Sequence, residues 1–293
     1  MLLSDNELFR VVQEDCITHM AKMPAASVDA TFFSPPFPAL YAYTSEACDI
    51  GNSEDMKGEA KLHLSFFYRQ LARVLKPGRV AVVHVMQLPR MKRAGGVGLF
   101  DFRGFNIRLA ERCGLIYEYD WSVRKNPQAQ AIRTKSRELQ FAGLESDRAK
   151  QRGALADYLL KFRAPGDNAV PIKAEGQVTR NQWIDWAECC WADIRETNTL
   201  NVSEGRGEND TKHICPLQLD VIERLVKLYS NPDEIVFSPF TGIGSEGYVS
   251  LKLGRRFYGC EIKGEYHAAA IRNMHRALEE LKQSQVSLFA HGE

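Results

Sequence analysis

The sequence predicts an α/β fold with a mostly parallel central sheet, and three observations carry that expectation. Apolar runs of strand length alternate with segments of helical periodicity along most of the 293 residues. The run VAVVHVM, residues 80–86, is almost continuously apolar, as strands covered on both faces are. Near the C-terminal end a Gly-Ile-Gly turn, residues 242–244, joins a strand to a helix.

Taken in order, FRVVQED and VDATFF read as short strands linked by the helical ITHMAKMP. In LHLSFFYRQLARVLKPG, Leu64, Phe67, Leu71, Val74 and Leu75 fall at helical spacing, and Pro77-Gly78 is the expected stop. The buried strand 80–86 follows, then a helix over 105–113 and a strand LIYEYDW. Residues 145–211 break the rhythm. They are polar, hold Trp183, Trp186 and Trp191, and end in the loop-like SEGRGENDTK, which reads as an insertion carried by the sheet. Alternation resumes with the helix PLQLDVIERLVKLYS, which Pro216 can start at its first turn. A strand EIVFSPF, a helix around GYVSLKLG and a strand RFYGCEI come next. The final helix sets Ala270, Ile271, Met274, Leu278 and Leu281 on one face. The expected division is therefore 1–144, the insertion 145–211, and 212–293.

No apolar run approaches the ~20 residues of a bilayer span, and MLLSDNELFR lacks the features of a signal peptide, so a cytoplasmic location is expected. The seven cysteines form no zinc-ligand spacing, and no metal is expected. Net charge is +1, but residues 124–163 hold ten bases against four acids. Such a strip is either a phosphate footprint or the solvated side of a helix.

Two short stretches carry chemistry. Thr31 to Tyr41 reads TFFSPPFPALY: a strand ends in one small hydroxyl, two prolines and an aromatic ring. The second stretch, Ser238-Pro239-Phe240-Thr241-Gly242-Ile243-Gly244, runs from a strand into a helix, and Glu261 ends the next strand 23 residues after Ser238. Gly-x-Gly alone is often only a tight turn. Strand, glycine turn, helix, strand and acid together point to a ribose-containing ligand. The Ser-Pro-Pro-Phe turn at residues 34–37 argues against a plain dehydrogenase, and the missing Gly-Lys-Ser/Thr of a P-loop argues against an NTPase.

The pair of turns resembles the amino-group DNA methyltransferases that use S-adenosylmethionine, whose catalytic turn is (D/N/S)-P-P-(Y/F/W) and whose cofactor turn is DPFxGxG. Catalytic turn first and cofactor turn last is similar to the family's β class, a circular permutation. EDCITHMAKMP, DWSVRKNPQAQAIRTKSRELQF, KHICPLQLDVIERLVKLYS and LGRRFYGCEIKGEYHAAAIRN resemble further family segments in that order. The resemblance implies a Rossmann-like methyltransferase fold with 145–211 as target-recognition region. It implies Ser34, Pro35, Pro36 and Phe37 as the catalytic turn, and Asp15, His213, Pro216, Ser238, Pro239, Phe240, Thr241, Gly242, Gly244 and Glu261 as cofactor residues. Double-stranded DNA would be the partner, with Arg90, Lys92, Arg93, Arg148, Lys150 and Arg152 as phosphate contacts, no membrane is involved, and a homodimer is open. Ser-Pro-Pro-aromatic turns in the family go mostly with cytosine N4, and Asp or Asn turns with adenine N6. One departure stands out: Ser238 occupies the place of the family's Asp, which helps orient the methionine end of the cofactor.

The Ser34 turn suits such chemistry. A base amine is planar because its lone pair is delocalised into the ring. The Ser34 hydroxyl and the Pro35 carbonyl could each accept one amine hydrogen and favour the pyramidal, nucleophilic form. The prolines preset the backbone and remove competing N–H donors, and Phe37 offers a face for a flipped base. No cysteine nucleophile is needed, and Cys215-Pro216 reads as structural.

Overall fold

The computed structural model of the chain describes residues 2–38, 48–52, 58–89, 98–134, 155–173, 175–201, 203 and 216–290, with backbone only for 131–134 and 285–290. Strands are β1 (Phe9–Gln13), β2 (Val28–Phe33), β3 (Leu75–Met86), β4 (Leu88–Pro89), β5 (Leu99–Phe100), β6 (Ile116–Val123), β7 (Asp157–Arg163), β8 (Cys190–Trp191), β9 (Ile235–Ser238) and β10 (Arg256–Glu261). Helices are α1 (Cys16–Lys22), α2 (Glu59–Val74), α3 (Phe102–Arg112), α4 (Pro127–Thr134), α5 (Arg180–Asp185), α6 (Leu219–Tyr229), α7 (Ser245–Lys252) and α8 (Gly264–Ala290).

Eight strands form one sheet in the order β1-β10-β9-β2-β3-β7-β6-β8, and β4 pairs with β5 apart from it. The first five run parallel, and β7 is antiparallel to both its neighbours. Alternate residues of a strand face opposite layers. Phe33 packs with α1, α2 and α3, whereas Phe32 packs with α6, α7 and α8. The apolar stripe expected on the last helix is present: Ala270 and Met274 are buried, and Ile271 and Leu278 pack against the core.

Three boundaries differ from the expectations. Helix α2 stops at Val74 rather than at Pro77-Gly78, because Leu75 is already extended and pairs beside Val28. Helix α6 starts at Leu219, with Gln218 in the capping position, so Pro216 lies in the approach and not in the first turn. The largest difference concerns 145–211. Within it, β7 fills the gap between β3 and β6, and β8 extends the sheet past β6. Trp191 is buried against Trp121, with ring centroids 5.3 Å apart. Residues 157–163 and 190–191 are thus strands of the central sheet rather than parts of an appendage. The alternating DYLLKFR looked polar because a strand at an antiparallel position, with its charges paired sideways, lacks the solid apolar run of the parallel strands.

Candidate active site

Four strands deliver the candidate residues to one edge of the sheet. β2 and β9 are hydrogen-bonded neighbours, with Ala30 opposite Val236 and Thr31 opposite Phe237. The Ser34 and Pro239 turns, 205 residues apart in sequence, therefore leave adjacent carboxyl ends. β10 lies beside β9 and brings Glu261 to the same edge, and β1 lies beside β10, with Gln13 opposite Glu261, which brings Glu14 and Asp15. From β9 the sheet is extended one way by β10 and β1, and from β2 the other way by β3. The cleft sits at this switch in direction, where open α/β sheets bind ligands.

All four residues of the Ser34 turn line the cleft. The Ser34 hydroxyl donates to the His84 carbonyl at 3.2 Å, and His84 Nδ1 lies 3.3 Å from the same oxygen. His84 Nε2 is 2.9 Å from Asp157 Oδ2, which also accepts from Lys125 Nζ at 2.6 Å. In the tautomer that donates Nε2–H to Asp157, Nδ1 faces the hydroxyl as an acceptor. Burial opposes ionisation of Asp157, but the His84 ring and Lys125 outweigh it and bring its pKa down to about 2. Sequence reasoning missed this chain of contacts. Its signals were a histidine inside an otherwise apolar strand and the lysine of WSVRKNP. Phe37 is half-buried, and the ring of Phe102 meets it edge-on at 5.7 Å, which fixes its plane.

In the second turn, Thr241 N–H donates to the Cys260 carbonyl at 2.9 Å, and its hydroxyl donates to the Ser238 carbonyl at 3.1 Å. Gly242 and Gly244 have φ of +55° and +94°. Any side chain at Gly244 would also meet Met274 Cε at 2.5 Å, so α8 and the backbone both demand glycine there. Pro239, Phe240, Thr241, Gly242, Asp15, Pro216 and Glu261 line the cleft. Gly244 does not; it packs against α8. Ser238 does not either: it is fully buried, and its Oγ has no hydrogen-bond partner. His213, Arg90, Lys92, Arg93, Arg148, Lys150 and Arg152 lie outside the described residues.

The cleft is acidic. Among the described residues that line it are Glu14, Asp15, Asp49, Glu246 and Glu261, and no lysine, arginine or histidine. Four of these acids are held by groups on the protein. Glu14 is bound by Lys22 and His19, Asp15 caps α1 through Thr18 N–H at 2.8 Å, and Asp49 accepts from Gly51 N–H at 2.9 Å. Glu261 accepts from Gly242 N–H at 2.7 Å and Lys263 N–H at 2.9 Å, tying the glycine turn to the end of β10. Burial still raises its pKa to about 7. Glu246, which the motifs did not flag, is the exception taken up below.

The basic strip proves partly internal. Lys125 binds Asp157, while Lys161 and Arg163 both bind Glu118 at 2.9 and 2.6 Å. Glu118 lies just outside the 124–163 window, which is why the count overstated the free positive charge. Arg124 remains exposed.

Comparison with known proteins adds a family match, two relatives and two solved structures. Residues 28–272 match the family model described as DNA methylase. The chain is 24% identical to the DNA adenine methyltransferase YhdJ of Escherichia coli (strain K12), over 94% of this chain and 87% of that protein. It is 44% identical to the Type II methyltransferase M1.MboII of Moraxella bovis over a segment that spans 18% of this chain and only 21% of that protein. In fold, it is similar to TTHA0409 of Thermus thermophilus in complex with S-adenosyl-L-methionine (TM-score 0.67, 20% identity, 92% and 94% of the two chains). It is equally similar to the cytosine-N4-specific PvuII DNA methyltransferase (TM-score 0.67, 18% identity, 94% and 92%).

Proposed function

The chain belongs to the DNA methylase family, and on that premise we propose that it transfers a methyl group from S-adenosylmethionine to the exocyclic amine of a flipped base in double-stranded DNA, cytosine N4 in particular. The observation that carries the reading is the meeting of the Ser34 and Pro239 turns on the adjacent strands β2 and β9.

The residues present fit a cationic nucleoside: the described lining of the cleft holds five acids and no base. Asp15, Glu261 and the Thr241–Gly242 backbone would hold the nucleoside part. The bound cofactor supplies an electrophilic methyl group.

The rest falls to the chain. The Ser34 hydroxyl gives its own proton to the His84 carbonyl or Nδ1, which leaves its lone pairs free to accept an amine hydrogen. The Pro35 carbonyl accepts the second. Asp157, anchored by Lys125, holds the His84 ring and through it the hydroxyl. Removing both amine hydrogens from the plane of the ring system localises the nitrogen lone pair for in-line attack. Phe37, steadied by Phe102, provides a stacking face that returns part of the few kcal/mol spent on unstacking. The parts of 145–211 outside the sheet, together with Arg90, Lys92, Arg93, Arg148, Lys150 and Arg152, are proposed to contact the DNA.

Adenine N6 is the second reading, favoured by the similarity to YhdJ along nearly the whole chain. Tritiated methyl transfer to mixed-sequence DNA, followed by nucleoside mass analysis, tests both. N4-methylcytosine supports the first and N6-methyladenine the second, while no incorporation by a chain that still binds cofactor would reject enzymatic activity.

A further inference from the structure

Glu246 is the second residue of α7 and lines the cleft beside Ser245. It is 5% exposed. Its carboxylate has its own backbone N–H for company and, among the described residues, no other hydrogen bond or ion pair. The adjacent Ser245 Oγ, which lines the same cleft, is buried without a partner as well. Glutamates are rarely buried so completely unless paired.

We propose that Glu246 is the carboxylate that receives the ammonium group of the cofactor's amino-acid end, doing from the start of α7 what an acid at position 238 would do from the end of β9. The assignment rests on the S-adenosylmethionine reading above. The division of labour along the cleft supports it. Glu261 and Asp15 belong to β10 and the end of β1, and both already have backbone donors, as suits groups that accept hydrogen bonds from a neutral ribose and base. Glu246 follows the glycine turn and has only its own backbone N–H. A neutral nucleoside gives no return for an unpaired buried carboxylate, whereas an ammonium gives a charge-assisted hydrogen bond. The small Ser238, withdrawn from the cleft, leaves Glu246 as the acid able to meet that cation beside the turn. Before the ligand arrives, burial raises the pKa of Glu246 to about 8, so the site then carries a largely neutral carboxyl and avoids a bare charge. The other titratable groups among the described residues that line the cleft are Glu261 on β10, Tyr266 on α8 with the Lys263 ammonium over its ring, Glu14, Asp15 and Asp49, and the thiols of Cys16, Cys48 and Cys260.

The test is a protein–ligand double cycle read by calorimetry, with S-adenosylhomocysteine and its des-amino analogue as probes against the parent chain and Glu246→Gln. Removing the ammonium from the ligand should weaken binding to the parent by about tenfold or more, the scale of a charge-assisted contact. Glu246→Gln should bind S-adenosylhomocysteine as weakly as the parent binds the des-amino ligand, with little further loss for the des-amino ligand itself. If Glu246→Gln weakens both ligands equally, or neither, the assignment is overturned. If the variant does not fold, the parent still decides: equal affinity for the two ligands overturns it. A parent that binds neither ligand rejects the cofactor reading itself, a result distinct from a failed coupling.

Discussion

The two ends of the central sheet treat charge in opposite ways. At the amino ends of the strands, buried charges are saturated. Arg79, 3% exposed, donates to the Asp29 carbonyl at 2.7 Å and to Glu234 at 3.0 Å. Asp29 in turn accepts from Lys76 Nζ at 2.6 Å and from Ile235 N–H at 3.0 Å. Arg255 gives hydrogen bonds to the carbonyls of Ser230 and Leu253, both at 2.6 Å. At the carboxyl ends, Glu246 and Glu261 are buried with pKa values raised by desolvation to about 8 and about 7. The contrast separates two uses of a buried ion. At one end it locks strands together; at the other, on the proposal above, Glu246 would meet the ammonium group of a ligand.

The sharpest way to break this comparison is at the Ser34 turn. Ser34→Ala should lower the single-turnover rate of methyl transfer by about a hundredfold or more, the effect of removing one preorganised hydrogen-bonding group, with cofactor affinity unchanged by calorimetry. An equal loss of cofactor binding would mean that the turn shapes the cleft instead of orienting the amine.

At the opposite end, Arg79→Met should destabilise the fold by about 3 kcal/mol in denaturant melts, because it breaks the ion pair of buried Arg79 with partly buried Glu234. Activity per folded molecule should remain that of the parent. A large loss of activity would show that the two ends are coupled.

Asp157→Asn stands between these cases. It should slow methyl transfer by about tenfold through the looser His84–Ser34 contact and leave the KM for cofactor alone. A drop in stability with unchanged kcat would assign the group to packing only.

The last test concerns pH. Glu246 and Glu261 have folded pKa values above their ordinary 4.5, so the folded chain binds more protons than the unfolded one between about pH 4.5 and about 8. Their contribution to stability is fully present below that window and is lost as pH rises through it. Asp157, lowered to about 2 from 3.8, acts the other way: its contribution is present above pH 3.8 and lost as pH falls through about 2. Melting temperature followed from pH 5 to 9 should fall without cofactor and flatten when cofactor saturates the cleft. A Tm that rises across this range would contradict the raised pKa values.

Much of this was legible from local pattern. Strand and helix periodicities located six of the eight strands of the central sheet, because parallel strands buried on both faces need unbroken apolar runs and their covering helices need one apolar stripe. The proline and glycine turns announced themselves because only those residues satisfy the backbone there, as Gly244 shows with its positive φ and its contact with Met274. What sequence could not supply was neighbourhood. DYLLKFR belongs to the sheet only because β3 and β6 leave a gap that it fills, and the lysines and arginines around it lost their free charge to Glu118 and Asp157. Likewise, neither the motif nor the spacing distinguished Ser238 from Glu246. That one is sealed in the core while the other opens on the cleft with an unpaired carboxylate follows from how α7 leaves the glycine turn and packs against α8. Residue type and spacing determine which elements form; burial and the pairing of charge are properties of the assembled chain, so only the tertiary structure decides which acid is free to bind.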